Sequence, residues 1–212
     1  MLDSFRRAQQ DAFWDRFGRI VARTGVTPDQ VTLGAFVLSS ANSLLFPVHR
    51  DPLVYGIALA LTELLDNVDG AVARVTGHKT RYGAFLDAAT DRYKEALSLL
   101  VVAWVTGYWL AAFLAVTGSL LVSYNHARAA MEGASSRAAA GDLFERFERV
   151  AVLVLGLVVC RFLPANIFFG RDALFGALTL IAVFSHLTAL QRWMRAARDL
   201  RAIDGNGGPK AE

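Results

Sequence analysis

Six mostly apolar stretches approach the length a helix needs to cross a bilayer, about 20 residues at roughly 1.5 Å each. They fall at about 30–49, 52–73, 84–106, 108–127, 148–168 and 172–193 of a 212-residue chain. Acidic residues interrupt the second and third. Residues 5–23 follow another rhythm. Phe5, Ala12, Phe13, Phe17, Ile20 and Val21 recur every three or four positions with arginines between them, which predicts an amphipathic helix. Two placements are open for it: flat on the inner membrane surface, or packed on the protein's own cytoplasmic face. Thr27-Pro28-Asp29 opens the first span, with Pro28 in the first turn, where its missing N–H costs little. The tail from Gly205, GNGGPKAE, reads as flexible. The expected organisation is one all-α integral membrane domain over 1–204. It has an interfacial helix over 1–26 and then six transmembrane helices, and a flexible tail follows over 205–212.

Composition agrees. The chain is 54% hydrophobic with a mean hydropathy of +0.36, more apolar than a soluble domain of this length usually is. A formal charge of +3 offers no concentrated basic face, so no nucleic-acid partner is expected. The first 25 residues lack a continuous apolar core and include Asp3, Asp11 and Asp15, which argues against a cleaved signal peptide. With the N-terminus inside, 17 of the 22 Lys and Arg lie in inner segments and only Arg50, Arg161 and Arg171 in outer loops. That asymmetry predicts both termini on the cytoplasmic side. Trp104, Tyr108 and Trp109 gather at one outer turn, as an interfacial aromatic belt does. Cys160 is alone, so it forms no internal disulfide and no cysteine-based zinc site.

The acids in spans two and three carry the chemistry. Asp66 and Asp69 are three residues apart on one helix, and Asp87 and Asp91 four apart on the next. Each pair therefore shares a helix face. A short cytoplasmic loop joins the two helices, so the pairs can converge. Carboxylates at membrane depth are expensive and mark function. Four together need cations, and hard divalent ions with oxygen ligands, Mg²⁺ or Mn²⁺, suit them. Two such ions would clamp an in-line displacement at phosphorus. Gly70, Ala73 and Gly83 clear space on the same faces, and Arg74 offers a planar fork for phosphate oxygens.

The spacing D-x2-D-G-x2-A-R-x8-G-x3-D-x3-D runs unbroken through Asp66, Asp69-Gly70, Ala73-Arg74, Gly83, Asp87 and Asp91. It resembles the signature of the CDP-alcohol phosphotransferases, integral-membrane enzymes of phospholipid synthesis. The resemblance covers about residues 27–150. It implies transfer of a phosphatidyl group from CDP-diacylglycerol, or a CDP-linked ether lipid, to a small polar alcohol with release of CMP. It assigns two divalent cations to Asp66, Asp69, Asp87 and Asp91, with Asp91 also accepting the proton of the attacking hydroxyl. Gly70, Ala73, Arg74, Thr80 and Gly83 would contact the CDP-lipid. So would Asp29, standing where relatives often carry Asn, and Thr32. Relatives with phosphorylated acceptors carry arginines where this chain has Arg128, Arg149 and Arg195, with His126 beside the first. A phosphorylated polyol, inositol phosphate or glycerol 3-phosphate, is thus the expected acceptor, ahead of serine or another unphosphorylated alcohol. Membrane lipids surround the enzyme, and the resemblance implies a homodimer in a prokaryotic plasma membrane. A carboxylate-based ion transporter is the alternative of another class.

Overall fold

A computed structural model describes residues 13–134, 144–163 and 171–205, all of the regular structure being helical. Helix α1 is described over residues 13–22. It is followed by α2 Pro28–His49, α3 Pro52–Thr76, α4 Arg81–Thr106, α5 Trp109–Met131, α6 Arg146–Phe162 and α7 Ala173–Gly205. The chain divides into two compact units, Met1–Val101 and Val102–Glu212.

In the first unit the helix ends are set locally. Thr27 caps α2 by accepting from Gln30 N–H, and the Gln30 side chain accepts from Thr27 N–H in return. This reciprocal box, with Pro28 behind it, fixes the start of α2. Asp51 caps α3 by accepting from Leu53 and Val54 N–H, and Pro52 follows in the first turn. Gly77 ends α3 at φ 70°, a left-handed conformation that glycine adopts at no steric cost. Helices α2 and α3 pack as a hairpin closed near its turn. Phe46 stacks on Tyr55 at 4.4 Å, and the Tyr55 hydroxyl bonds with Ser43.

Helix α1 docks on α3. A Cβ at Gly18 would lie 2.8 Å from the Ala71 carbonyl carbon, so only glycine fits there. Asp15 pairs with Arg74 beside it, while Phe13, Phe17 and Ile20 remain exposed. Among the described residues the helix thus packs on its own protein through one face and leaves an apolar face outward. Residues 1–12, the earlier part of that expectation, lie outside the described residues.

In the second unit α7 packs against both α5 and α6, and small residues set the approach. A Cβ at Gly118 would meet Ser185 Cβ at 2.9 Å, and one at Gly156 would meet Ala177 Cβ at 2.5 Å. Asn125 of α5 donates to the Ala189 carbonyl of α7, and Arg192 of α7 donates to the Val122 carbonyl of α5. At the expected outer turn Trp104 and Trp109 are exposed, and Tyr108 carries the Arg171 guanidinium over its ring.

The side chains sort by size in an order opposite to that of a soluble helix. The buried positions of α5 are Ala111, Ala112, Ala115, Gly118, Ser119 and Val122, while Leu110 and Phe113 are 73% and 64% exposed. On α2 the buried set is Thr32, Ala35, Ser39, Ser43 and Phe46, and Val37, Leu44 and Leu45 face out. Large apolar surface turned outward over whole helices needs an apolar surrounding, and small residues inward are how helices approach in lipid. By length and composition α2, α5 and α7 are long and apolar enough to cross a membrane. Helices α3 and α4 reach 25 and 26 residues but carry the acids. Helix α6 stops at Phe162, short of the expected 168. Leu163 there is extended (φ −105°, ψ 141°), as the residue before Pro164 is sterically pushed to be. Residues 164–170 and the tail from 206 lie outside the described residues.

Candidate active site

The C-terminal half of α3, the four-residue turn after it and the first half of α4 place the signature residues. Together with the start of α2 they line a cavity of about 240 Å³. Seven residues expected at the CDP-lipid lie on its wall: Asp29 and Thr32 from α2, Gly70, Ala73 and Arg74 from α3, Thr80 from the turn, and Gly83 from α4. Asp69 and Asp87 line it as well.

Each wall is held by a specific contact. Asp69 is buried, its Oδ2 accepting from Thr32 Oγ1 and its Oδ1 from Gly70 N–H. Those two bonds fix the carboxylate plane and tie α2 to α3. Thr80 Oγ1 accepts from Gly83 N–H at 2.9 Å, capping the start of α4. A Cβ at Gly83 would come within 3.0 Å of Asp29 Oδ1 and 3.1 Å of Thr80 Oγ1, so this glycine keeps that corner clear. A Cβ at Gly70 would meet only Arg74 Nη1, at 3.6 Å, and the α3 backbone there faces open space. Arg74 donates through Nε to Asp15 Oδ1 at 2.9 Å, which fixes its root on α1.

Asp87 stands within electrostatic reach of Asp66, Asp69 and Asp91 together. Asp66 and Asp91 share one partner, Lys94, which pairs with Asp66 Oδ2 and with Asp91 Oδ1 at 3.1 Å. Lys94 is 3% exposed. Arg92 reaches Asp91 at 4.0 Å and Glu95 at 3.6 Å. As arranged, no three His, Cys, Asp or Glu among the described residues stand ready to enclose an ion. The donor set nevertheless fits a hard divalent cation, being made of carboxylate oxygens drawn from two facing helices. Between two of the four arms, Asp66 and Asp91, stands the Lys94 ammonium.

The residues expected at the acceptor lie in the second unit. Arg128, near the end of α5, is exposed and pairs with Glu132 one turn on. His126 is exposed on the same helix. Arg149 is 2% exposed and donates to the Phe144 carbonyl at the start of α6. Arg195 is half-buried on α7. Two residues escaped the sequence reading. Asp15 belonged to a helix read only for its apolar face. Lys94 stood three positions after Asp91, a spacing that puts both on one face and was the available signal.

The model of the CDP-alcohol phosphatidyltransferase family matches residues 25–195. The chain is 33% identical to the archaetidylinositol phosphate synthase of Pyrococcus horikoshii over 188 residues, 88% of this chain and 92% of that one. It is 34% identical to the phosphatidylinositol phosphate synthase of Mycobacteroides abscessus over 185 residues, 83% of this chain and 79% of the relative. Two crystal structures of the Mycobacterium tuberculosis phosphatidylinositol phosphate synthase share its fold, each at 30% identity. One has CDP-DAG bound, with a TM-score of 0.73 over 86% of this chain and 92% of that one. The other is in complex with manganese and citrate, with a TM-score of 0.76 over 87% and 88%. The chain therefore belongs to the CDP-alcohol phosphatidyltransferase family.

Proposed function

We propose that this protein transfers a phosphatidyl group from a CDP-linked lipid to a hydroxyl of inositol phosphate and releases CMP. One observation carries the reading: all seven residues expected at the donor, drawn from α2, α3, the turn and α4, line a single cavity with Asp69 and Asp87. Support for the acceptor comes from the two relatives named above, an archaetidylinositol phosphate synthase and a phosphatidylinositol phosphate synthase.

The residues divide the work. Asp66, Asp69, Asp87 and Asp91 would hold two divalent cations, Mg²⁺ or Mn²⁺. When bound, these supply neutralisation of the diphosphate and of the departing CMP. Gly70 leaves backbone open to the donor, Gly83 makes room for Asp29 and Thr80 at the corner of the cavity, and Arg74, steadied by Asp15, presents its remaining N–H groups to phosphate oxygens. Asp29, Thr32, Ala73 and Thr80 shape the rest of the nucleotide wall. The acceptor hydroxyl attacks the phosphorus that bears the lipid. A new O–P bond forms, the bond to the CMP oxygen breaks, and Asp91 takes the hydroxyl proton. We assign the acceptor's phosphate to Arg128, Arg149 and Arg195, with His126 alongside, on the family resemblance. The same reading gives six spans, both termini and the site on the cytoplasmic side of a prokaryotic plasma membrane, and a homodimer.

The test is CMP release by the purified protein with CDP-diacylglycerol, Mn²⁺ and one acceptor at a time. Inositol phosphate should be turned over, with glycerol 3-phosphate and serine far behind. Release with serine alone would move the assignment to an unphosphorylated alcohol, and no release with any acceptor would overturn the enzyme reading.

A further inference from the structure

We propose that Lys94 is a built-in counter-ion of the carboxylate cluster, and that one divalent cation binds only in exchange with its ammonium. The inference rests on the proposed cation role of Asp66 and Asp91. Lys94 is among the most buried charged residues described, at 3% exposed, and burying an ammonium is costly unless it is paired. Its head pairs with Asp66 Oδ2 on α3 and with Asp91 Oδ1 at 3.1 Å on α4. It therefore clips two helices together through the two arms of the cluster that do not line the cavity. A cation held by those same two oxygens would need the position the ammonium fills. Two positive charges a few ångströms apart in a protein interior repel strongly. The lysine stem is flexible, with rotatable bonds along its length, so the head can withdraw without moving the helix. Lys94 thus keeps the carboxylates assembled when no ion is bound and weakens the ion's affinity when it is.

The test titrates Mn²⁺ alone into the purified protein in detergent, by calorimetry and by the loss of free-Mn²⁺ paramagnetic signal. Lys94→Met should bind Mn²⁺ about tenfold more tightly than the unaltered chain. It should melt lower in EDTA and gain more in Tm from saturating Mn²⁺. Lys94→Gln, which keeps a polar head without the charge, should tighten Mn²⁺ in the same direction and covers the case in which the Met variant does not fold. Lys94→Arg, which keeps the charge, should not tighten it. A merely structural clip would lower the Tm of the Met and Gln variants and leave the Mn²⁺ isotherm unchanged, and that result overturns the proposal. CMP release by the unaltered chain is a separate readout. If CMP is released but the isotherms coincide, the exchange is wrong and the enzyme reading stands. If neutralising Lys94 tightens Mn²⁺ and no CMP is ever released, the exchange stands and the enzyme reading falls.

Discussion

A single methyl group at position 83 would lie 3.0 Å from Asp29 Oδ1 and 3.1 Å from Thr80 Oγ1. Both neighbours are side-chain tips and can yield a few tenths of an ångström, so Gly83→Ala should fold normally. The displaced Asp29 carboxylate then leans into the cavity, and the KM for CDP-diacylglycerol should rise several-fold with Tm almost unchanged. Gly83→Val should raise it by about tenfold or more, since the branched side chain takes space the donor needs. Asp91→Asn keeps the shape of the side chain and removes its basicity. CMP release should fall by at least ~100-fold, while binding of the CDP-lipid, followed by equilibrium dialysis, should persist. Full activity in that variant would remove Asp91 from the proton-transfer role. At this scale the sequence was informative where spacing and chemistry coincide. Asp69, Asp87, two glycines and one arginine of the spaced set share one cavity wall with the start of α2, while Asp66 and Asp91 meet at Lys94 instead. The Asp66 partner of Lys94 and the Arg74 partner of Asp15 were harder to read because they lie on other helices, 28 and 59 positions away.

At the scale of the element, packing between helices turns on single small residues. At Gly156 a Cβ would overlap Ala177 Cβ, 2.5 Å away. Gly156→Leu should therefore force α6 and α7 apart and cost on the order of 1–3 kcal/mol, read as a lower Tm in detergent. Gly34, which has nothing within 4 Å of an added Cβ, is the control. Gly34→Ala should hold or raise the Tm, because alanine is the better helix former. An equal loss at both positions would show that glycine matters for backbone freedom and not for close approach. The sequence has no GxxxG pair, and its small residues at four-residue spacing, Ala35-Ser39-Ser43 on α2 and Ala111-Ala115-Ser119 on α5, do not by themselves name the helix that packs on them. Helix starts were legible from Thr27-Pro28 and Asp51-Pro52, whose caps act within one turn. Helix ends were less so. Helix α7 continues to Gly205, twelve residues past the apolar stretch that ends at 193. Hydropathy marks where lipid stops, whereas arginine and alanine keep a helix going in water.

For the whole molecule the basic residues predict sidedness. Lys79 in the α3–α4 turn and Arg50 in the α2–α3 turn are both exposed, and they fall on opposite sides of the membrane in the proposed topology. With Cys160 first changed to Ser, Lys79→Cys in sealed spheroplasts should resist a membrane-impermeant maleimide until the membrane is opened. Arg50→Cys should react at once. The reverse pattern would invert the topology and place the cavity outside the cell. The acids that hide α3 and α4 from a hydropathy scan are also the residues the cavity needs, so function is what blurs the fold in the sequence there. The inward placement of small side chains has one more consequence. Where Ala, Ser and Gly meet across helices and Leu and Phe stay in lipid, assembly removes little apolar surface from water. The heat-capacity change on unfolding in a micelle should then fall well below the ~12–15 cal/mol/K per residue typical of soluble domains. Its stability curve should be nearly straight with temperature, and cooling should not loosen it.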